Sequence, residues 1–301
     1  MIWAVDPIGP ALTQARAAPP PRLSSTVSRR ARPGLAVPCL LLMAATGLFA
    51  CAAPRLRLPE GPGRPLADVS PVLAEATAAC SAVRSLTAEI ALSGRAGAQR
   101  IRGRVIAGLD RGGNLRLEAP APFGAPVFVL VARGGAATLL LPRERRVLEG
   151  EPPAAVVEAL TGLALDPSDL LAVLAGCPPF SGAPRSGQAY GDRWIAADVD
   201  GETVHVERRE GYWRVRSWTR KGLRVEYIRL GSNWPQRIGL RVESASGTPA
   251  AEMVLAVSGV EVNADLPARA FEVLIPAGTA PLTLEELRAS VPIGRDARPV
   301  R

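Results

Sequence analysis

Four cysteines and one histidine carry most of the chemical potential of this 301-residue chain, and their surroundings sort them. Cys51 closes the segment Leu48-Phe49-Ala50-Cys51, which follows an apolar run from Leu35 to Phe49 and a basic start at Arg29, Arg30 and Arg32. A basic start, an apolar stretch and a small residue before the cut form the layout of an export signal. The Leu-x-Ala-Cys ending looks like a bacterial lipobox, which implies that the Cys51 thiol takes a diacylglycerol and makes it the expected lipidation site. The alternative is a membrane-spanning anchor, which the roughly fifteen-residue run is short for, against about 20 residues for a bilayer. Cys39 lies inside the signal. Cys80 and Cys177 remain, each at the end of an expected helix, and in an oxidising compartment they either pair as a disulfide or stay as two buried thiols.

No other residues assemble into a catalytic or metal-binding pattern. His205 stands alone in Val204-His205-Val206, where strand alternation turns it to solvent. Two cysteines and one distant histidine do not make a zinc site. There is no Gly-x-Ser-x-Gly elbow and no Cys-x-x-Cys pair. Asp198 and Asp200 flank a turn ending at Gly201. Trp213 shares a strand face with Val215 and reads as core, with an aromatic sugar platform as the alternative. The reading is therefore of a protein without enzymatic activity, cofactor or metal.

Charge narrows the partners. Cleavage before Cys51 would remove five arginines and one aspartate, taking the net charge from +8 to +4 over 251 residues. Lys221 is the only lysine. The arginines alternate with apolar residues instead of forming a basic stripe with aromatics, so a nucleic-acid partner is not expected. Mild attraction to anionic headgroups fits better.

The elements follow from periodicity. Residues 1–50 hold the signal and a Pro/Ala-rich extension, for which Val27 is an alternative start. Residues 51–67 read as the lipidated cysteine and a flexible Pro/Gly/Arg tether. A helix is expected from Ser70, as N-cap, to about Val83. Period-two alternation then predicts about five strands, with Val127–Ala132 and Ala136–Leu141 covered on both sides. Two short helices follow, one opened by Pro152-Pro153 and closed by Gly162. The other is capped by Asp166, stapled by Leu165 and Leu170, and stopped by Gly176. Strands are then expected near 188–199, 202–208, 212–219, 222–230, 236–244, 251–262 and 270–275. A capping box at Thr283–Glu286 starts a last short helix, and 281–301 reads as that helix and a frayed tail. The class is mainly β with a helical lid: a curved antiparallel sheet over 68–280 wrapped around helices, enclosing an apolar cavity.

Three segments resemble the outer-membrane lipoprotein receptor LolB and the LolA-like carrier family. They are Ala159-Leu160-Thr161-Gly162-Leu163-Ala164-Leu165 continuing through Asp169 to Pro178, Pro122-Phe123-Gly124, and Val262-Asn263 with Phe271 and Pro276. The resemblance covers about residues 84–278. It implies an eleven-strand unclosed barrel whose cavity holds the acyl chains of a lipoprotein or a phospholipid. It also implies a periplasmic LolA-type carrier as partner, a lipid anchor in the membrane, and a periplasm-facing place on the outer membrane, the inner membrane being the alternative. Phe123, where the family carries leucine, would be a membrane-contact tip, or else a loop aromatic tucked onto the barrel. Leu160, Leu163, Leu170, Leu171 and Leu174 would line the cavity or fill the core beneath the lid. The competing class is an assembly lipoprotein that uses the same fold as a protein-binding scaffold.

Overall fold

The alternation that begins at Leu86 becomes a single sheet in the computed structural model, which describes residues 55–180, 182–243 and 249–290. The segment read as an export signal, and Cys51 with it, lies outside the described residues. Residues 53–301 form a compact unit of their own.

The sheet starts within the stretch read as tether. Strand β1 (Arg64–Leu66) pairs with β8 (Pro184–Tyr190). Ahead of it, the Leu56 amide donates to Glu226 Oε2 at 3.4 Å and Arg55 lies 3.9 Å from Glu252. Helix α1 (Ser70–Ser81) follows. Ser70 is its first residue and not its cap; Val69 holds the cap position, and Asp68 Oδ1 accepts the Ser70 N–H at 2.8 Å.

Strands β2 (Ser85–Ala96), β3 (Gln99–Asp110), β4 (Leu115–Ala119), β5 (Phe128–Arg133), β6 (Ala136–Leu141) and β7 (Arg146–Glu151) form an antiparallel meander. Helices α2 (Pro153–Thr161) and α3 (Pro167–Ala175) come next. After β8 run β9 (Trp194–Val199), β10 (Glu202–Arg209), β11 (Tyr212–Arg220), β12 (Leu223–Leu230), β13 (Pro235–Glu243) and β14 (Pro249–Val262). The expected strand 188–199 is thus a hairpin of two, turned at Gly191, which has φ 61°.

The long strand β14 lies beside β2 and joins the two meanders into one sheet, ordered β1-β8-β9-β10-β11-β12-β13-β14-β2-β3-β4-β5-β6-β7-β15. Strand β15 (Ala280–Pro281) pairs parallel with β7. Among the described residues the sheet has fifteen strands instead of eleven, and its two ends do not meet, so it is not closed into a barrel.

The expected strand at 270–275 is absent. Asn263 takes φ 58° and its side-chain oxygen accepts the Arg84 N–H at 2.7 Å, which turns the chain out of β14. The next segment crosses the outer face of the sheet as a strap. Its 3-10 turn, Ala268–Phe271, packs on β4 and β5. Arg116 donates to the Ala270 and Glu272 carbonyls at 3.3 and 3.1 Å, and Arg133 pairs with Glu272 at 2.8 Å. Phe271, Val129 and Val131 are all buried. This covering is why β5 is apolar on both faces.

The chain then rounds the β7 edge to the helix-bearing face. Helix α4 (Leu284–Ser290) packs on α2 through buried Leu287. Its capping box is formed: Thr283 Oγ1 accepts the Glu286 N–H at 3.2 Å, and Glu286 Oε2 accepts the Thr283 N–H at 2.9 Å. Among the described residues no helix is long and apolar enough to cross a membrane.

Candidate functional site: an apolar cavity under a helical pair

The two short helices are positioned by local chemistry. Pro153 sits in the first turn of α2, where its missing N–H costs nothing. Gly162 ends the helix in the left-handed region (φ 75°), and a Cβ there would lie 2.5 Å from the Ala96 Cβ. Only glycine suits both that backbone angle and that approach to β2. Asp166 caps α3, accepting from the Asp169 N–H at 2.8 Å and the Ser168 hydroxyl at 2.7 Å. Gly176 stops it with φ 83°.

Between this pair and the sheet lies a cavity of about 70 Å³. The helices and their link contribute Val157, Leu160, Thr161, Leu163, Leu165, Leu170 and Leu174. The floor comes from Ile90 and Leu92 of β2, Val105, Leu117, Phe128, and Leu240, Met253 and Leu255 across the seam to β13 and β14. Thr161 is the single polar residue of this lining, and its hydroxyl is satisfied within the helix end. It donates to the Val157 carbonyl at 2.7 Å and accepts the Leu163 N–H at 3.2 Å. The wall therefore offers a ligand no hydrogen bond, and dispersion and water exclusion are what it can supply.

Of the five leucines singled out from sequence, four line this space; Leu171 is buried in the core beside it. A second pocket, of about 220 Å³, adjoins the first and shares Leu163 and Leu165 with it. Its far side is polar, with Asp169 and Arg220 paired at 2.6 Å and Lys221 nearby. Burial, then the neighbouring Asp166 charge, raises the Asp169 carboxyl above its ordinary value, against the pull of Arg220.

Cys80 and Cys177 are joined in a disulfide with Cα atoms 5.5 Å apart, tying the end of α1 to the end of α3. Phe123 is 89% exposed at the tip of the β4–β5 loop. Arg143 holds that loop by donating to the Phe123 and Ala125 carbonyls at 3.0 and 3.2 Å, so the aromatic ring itself is not part of the support.

His205 differs from its expected solvated state. It is half-buried, and desolvation, then the Arg224 charge, lowers its pKa to about 4. Sequence reasoning also missed a buried charge cluster on β10 and β11. Arg216 is an extra, bulged residue of β11, since Ser217 faces His205 while Val215 faces Val206. It is 5% exposed, pairs with the 1%-exposed Glu207, and donates to the Tyr227 carbonyl at 3.1 Å. Arg193 binds the same carboxylate at 2.8 Å. The alternating Glu and Arg signs were visible, but the bulge that brings them together was not. Among the described residues no group of three His, Cys, Asp or Glu side chains could hold a metal ion.

No family model matches this chain, and no curated protein matches it. Solved structures do. A LolA superfamily protein from Nitrosomonas europaea is 13% identical, with 69% of this chain and 99% of that one covered and a TM-score of 0.45. A DUF1329 family protein from Desulfovibrio piger is 11% identical, covering 68% and 97%, with a TM-score of 0.43. The lipoprotein LppX of Mycobacterium tuberculosis is 10% identical, covering 65% and 99%, with a TM-score of 0.28. At these identities and TM-scores the likeness carries no ligand or role over to this chain. The strand order itself gives the architecture: one large, almost wholly antiparallel sheet, unclosed, with helices packed on one face.

Proposed function

We propose that this chain is a lipid-anchored envelope protein that binds acyl chains beneath the α2–α3 pair. Its finer task would be to accept lipoproteins from a periplasmic LolA-type carrier and pass them to the outer membrane. The observation that carries the reading is the cavity wall. Every lining side chain but one is apolar, and that one is internally hydrogen-bonded.

The cavity volume sets a condition. About 70 Å³ is far below the roughly 300–1,000 Å³ of typical ligand pockets. Acyl binding therefore requires the α2–α3 pair to lift, merging the cavity with the adjoining 220 Å³ pocket across Leu163 and Leu165. Each methylene taken from water yields about 0.8 kcal/mol, whereas one taken from a bilayer yields close to nothing net. An acyl carrier of this kind thus exchanges cargo near equilibrium, and small differences in lid energy set the direction.

The same small volume favours the second reading, a scaffold whose cavity is filled by its own leucines. Native mass spectrometry of residues 53–301 with a triacylated lipopeptide and its unacylated twin separates the two. A complex with the acylated peptide alone is expected. Equal behaviour of the two peptides would remove the acyl-binding reading and leave the scaffold.

A further inference from the structure

The outer face of β2 and β3 carries four arginines that have no ion-pair partner among the described residues. Arg100, Arg102 and Arg104 occupy alternate positions of β3, all exposed. Arg95 of β2 lies directly opposite Arg100 in the register. Like charges placed opposite each other on a sheet destabilise it. Among the described residues none of these four has a carboxylate within ion-pairing distance; the acids nearby are engaged elsewhere, Glu252 with Arg241 at 2.7 Å and Glu118 with Arg116 at 3.0 Å. A row of unneutralised cations, retained against its own repulsion, points to an external polyanion.

Apolar side chains share this quarter of the molecule. Four large hydrophobic residues are exposed among the described residues: Ile106 on this face, Phe123 on the β4–β5 loop, Leu274 on the strap over the strands beyond β3, and Tyr212 on β11. Ile106 follows Arg104 on the same face of β3. Leu274 is 90% exposed on the strap that crosses the neighbouring strands. Phe123 tips the loop that leaves β4 just past the rung Ile106–Glu118, at the end of the sheet towards which β3 runs back to Arg104 and Arg100. Cations flanked by exposed apolar groups fit a bilayer interface better than an acidic protein surface, which would leave the apolar groups wet.

The chain entry agrees. Arg55 lies 3.9 Å from Glu252, whose register partner on β2 is Arg95. Cys51 is four residues upstream of Arg55 in the sequence, at most about 14 Å of extended chain.

We propose that the outer face of β2 and β3 docks on an anionic phospholipid bilayer, with Arg95, Arg100, Arg102 and Arg104 on headgroup phosphates and Ile106 and Leu274 at the acyl boundary. This rests on the membrane-anchored reading above but not on acyl binding in the cavity. The lipid anchor and the arginine row act as two signals, and the row sets which face meets the membrane. The helix-bearing face, with the α2–α3 pair, is then turned away from the bilayer and towards arriving cargo.

The test is co-sedimentation of residues 53–301, without lipid anchor, with vesicles of phosphatidylcholine alone or mixed with phosphatidylglycerol. Binding to the mixed vesicles only, weakened by salt, is expected. The triple variant Arg100→Gln, Arg102→Gln, Arg104→Gln should bind on the order of a hundredfold more weakly, at about fivefold per arginine. The corresponding triple lysine variant should retain binding. Thermal unfolding should be unchanged in the lysine variant and unchanged or slightly raised in the glutamine variant, where the repulsion with Arg95 is relieved, so a loss of binding cannot come from a loss of fold. Equal binding to both vesicle types, or full binding by the glutamine variant, would overturn the proposal. Binding to a soluble poly-glutamate peptide with no binding to vesicles would also overturn it, in favour of a protein partner. The lipopeptide complex should be the same for wild type and variants, which separates this result from the cavity reading.

Discussion

The two meanders of the sheet solve the same packing problem in different ways. Around β2–β5, the helix-bearing face is dry, and the helices above it leave a cavity walled by apolar side chains. Around β9–β12, the space is filled by large rings: Trp218 and Tyr227 are fully buried, bonded Nε1 to OH at 3.0 Å, with Phe180 edge-on at 6.2 Å. The opposite face there is pinned by Glu207 between Arg193 and Arg216. Directional bonds fix one arrangement, whereas apolar contact tolerates several. The first region is therefore the one with room to rearrange, and the second is the more rigid platform beside it. The disulfide bridges them, since α1 packs on β11 and α3 covers β2 and β3.

That contrast can be broken most severely at the disulfide. It closes a loop of 97 residues, worth about 4–5 kcal/mol in the chain-entropy account. Cys80→Ser with Cys177→Ser should lower urea-unfolding stability by that order. It should also raise hydrogen exchange in α3 more than in β10 and β11; equal loosening of both would mean the two regions are not mechanically distinct. Next is Glu207→Ala, which strands Arg216 without its partner and should cost about 3–5 kcal/mol. A loss below about 1 kcal/mol would show that the cluster does not pin the platform.

His205 offers a milder, pH-dependent test. Its folded pKa of about 4 lies below the ordinary 6.5, so the unfolded chain binds the proton more readily. Its contribution is complete above pH 6.5 and is lost as pH falls towards 4. Between pH 7 and 4, wild type should lose about 1–2 kcal/mol more stability than His205→Gln, after allowing for its partial exposure. Parallel losses in the two proteins would place the acid sensitivity elsewhere. The smallest effect on stability, within about 0.5 kcal/mol, is expected for Phe123→Glu, whose ring touches no support of its loop. The same variant should slow cargo release into liposomes, and unchanged transfer would remove Phe123 as a membrane-contact tip.

How much of this was legible depends on whether the determinant is local. The ends of α2 and α3 are written in Pro153, Gly162, Asp166 and Gly176, because caps are satisfied within a few residues. The double burial of β5 was also readable, from its unbroken apolar run, although what covers it was not. The segment around Phe271 has strand-like composition, yet Asn263, Pro267 and Pro276 lead it across the sheet instead of along it. The bulge at Arg216 shifts the alternation by one residue, so Trp218 joins Val215 in the core against simple parity. No local signal in Val215-Arg216-Ser217 announces that shift. Cavity and core were indistinguishable for the same reason: Leu171 and Leu174 differ only in where the sheet behind them stands.

The pairing of β2 with β14 has a consequence in time. These strands are about 165 residues apart along the chain and form the centre of the sheet. Contacts of such long sequence separation are slow to form, because loop-closure entropy is met before any pairing energy is gained. A chain emerging N-terminus first, from a ribosome or a translocation channel, can make the β2–β3 hairpin early. It must then hold the β2 edge unpaired until residue 262 has emerged. Arg95, near the end of that edge, is a charged residue of the kind that discourages a stranger strand from docking in the interval.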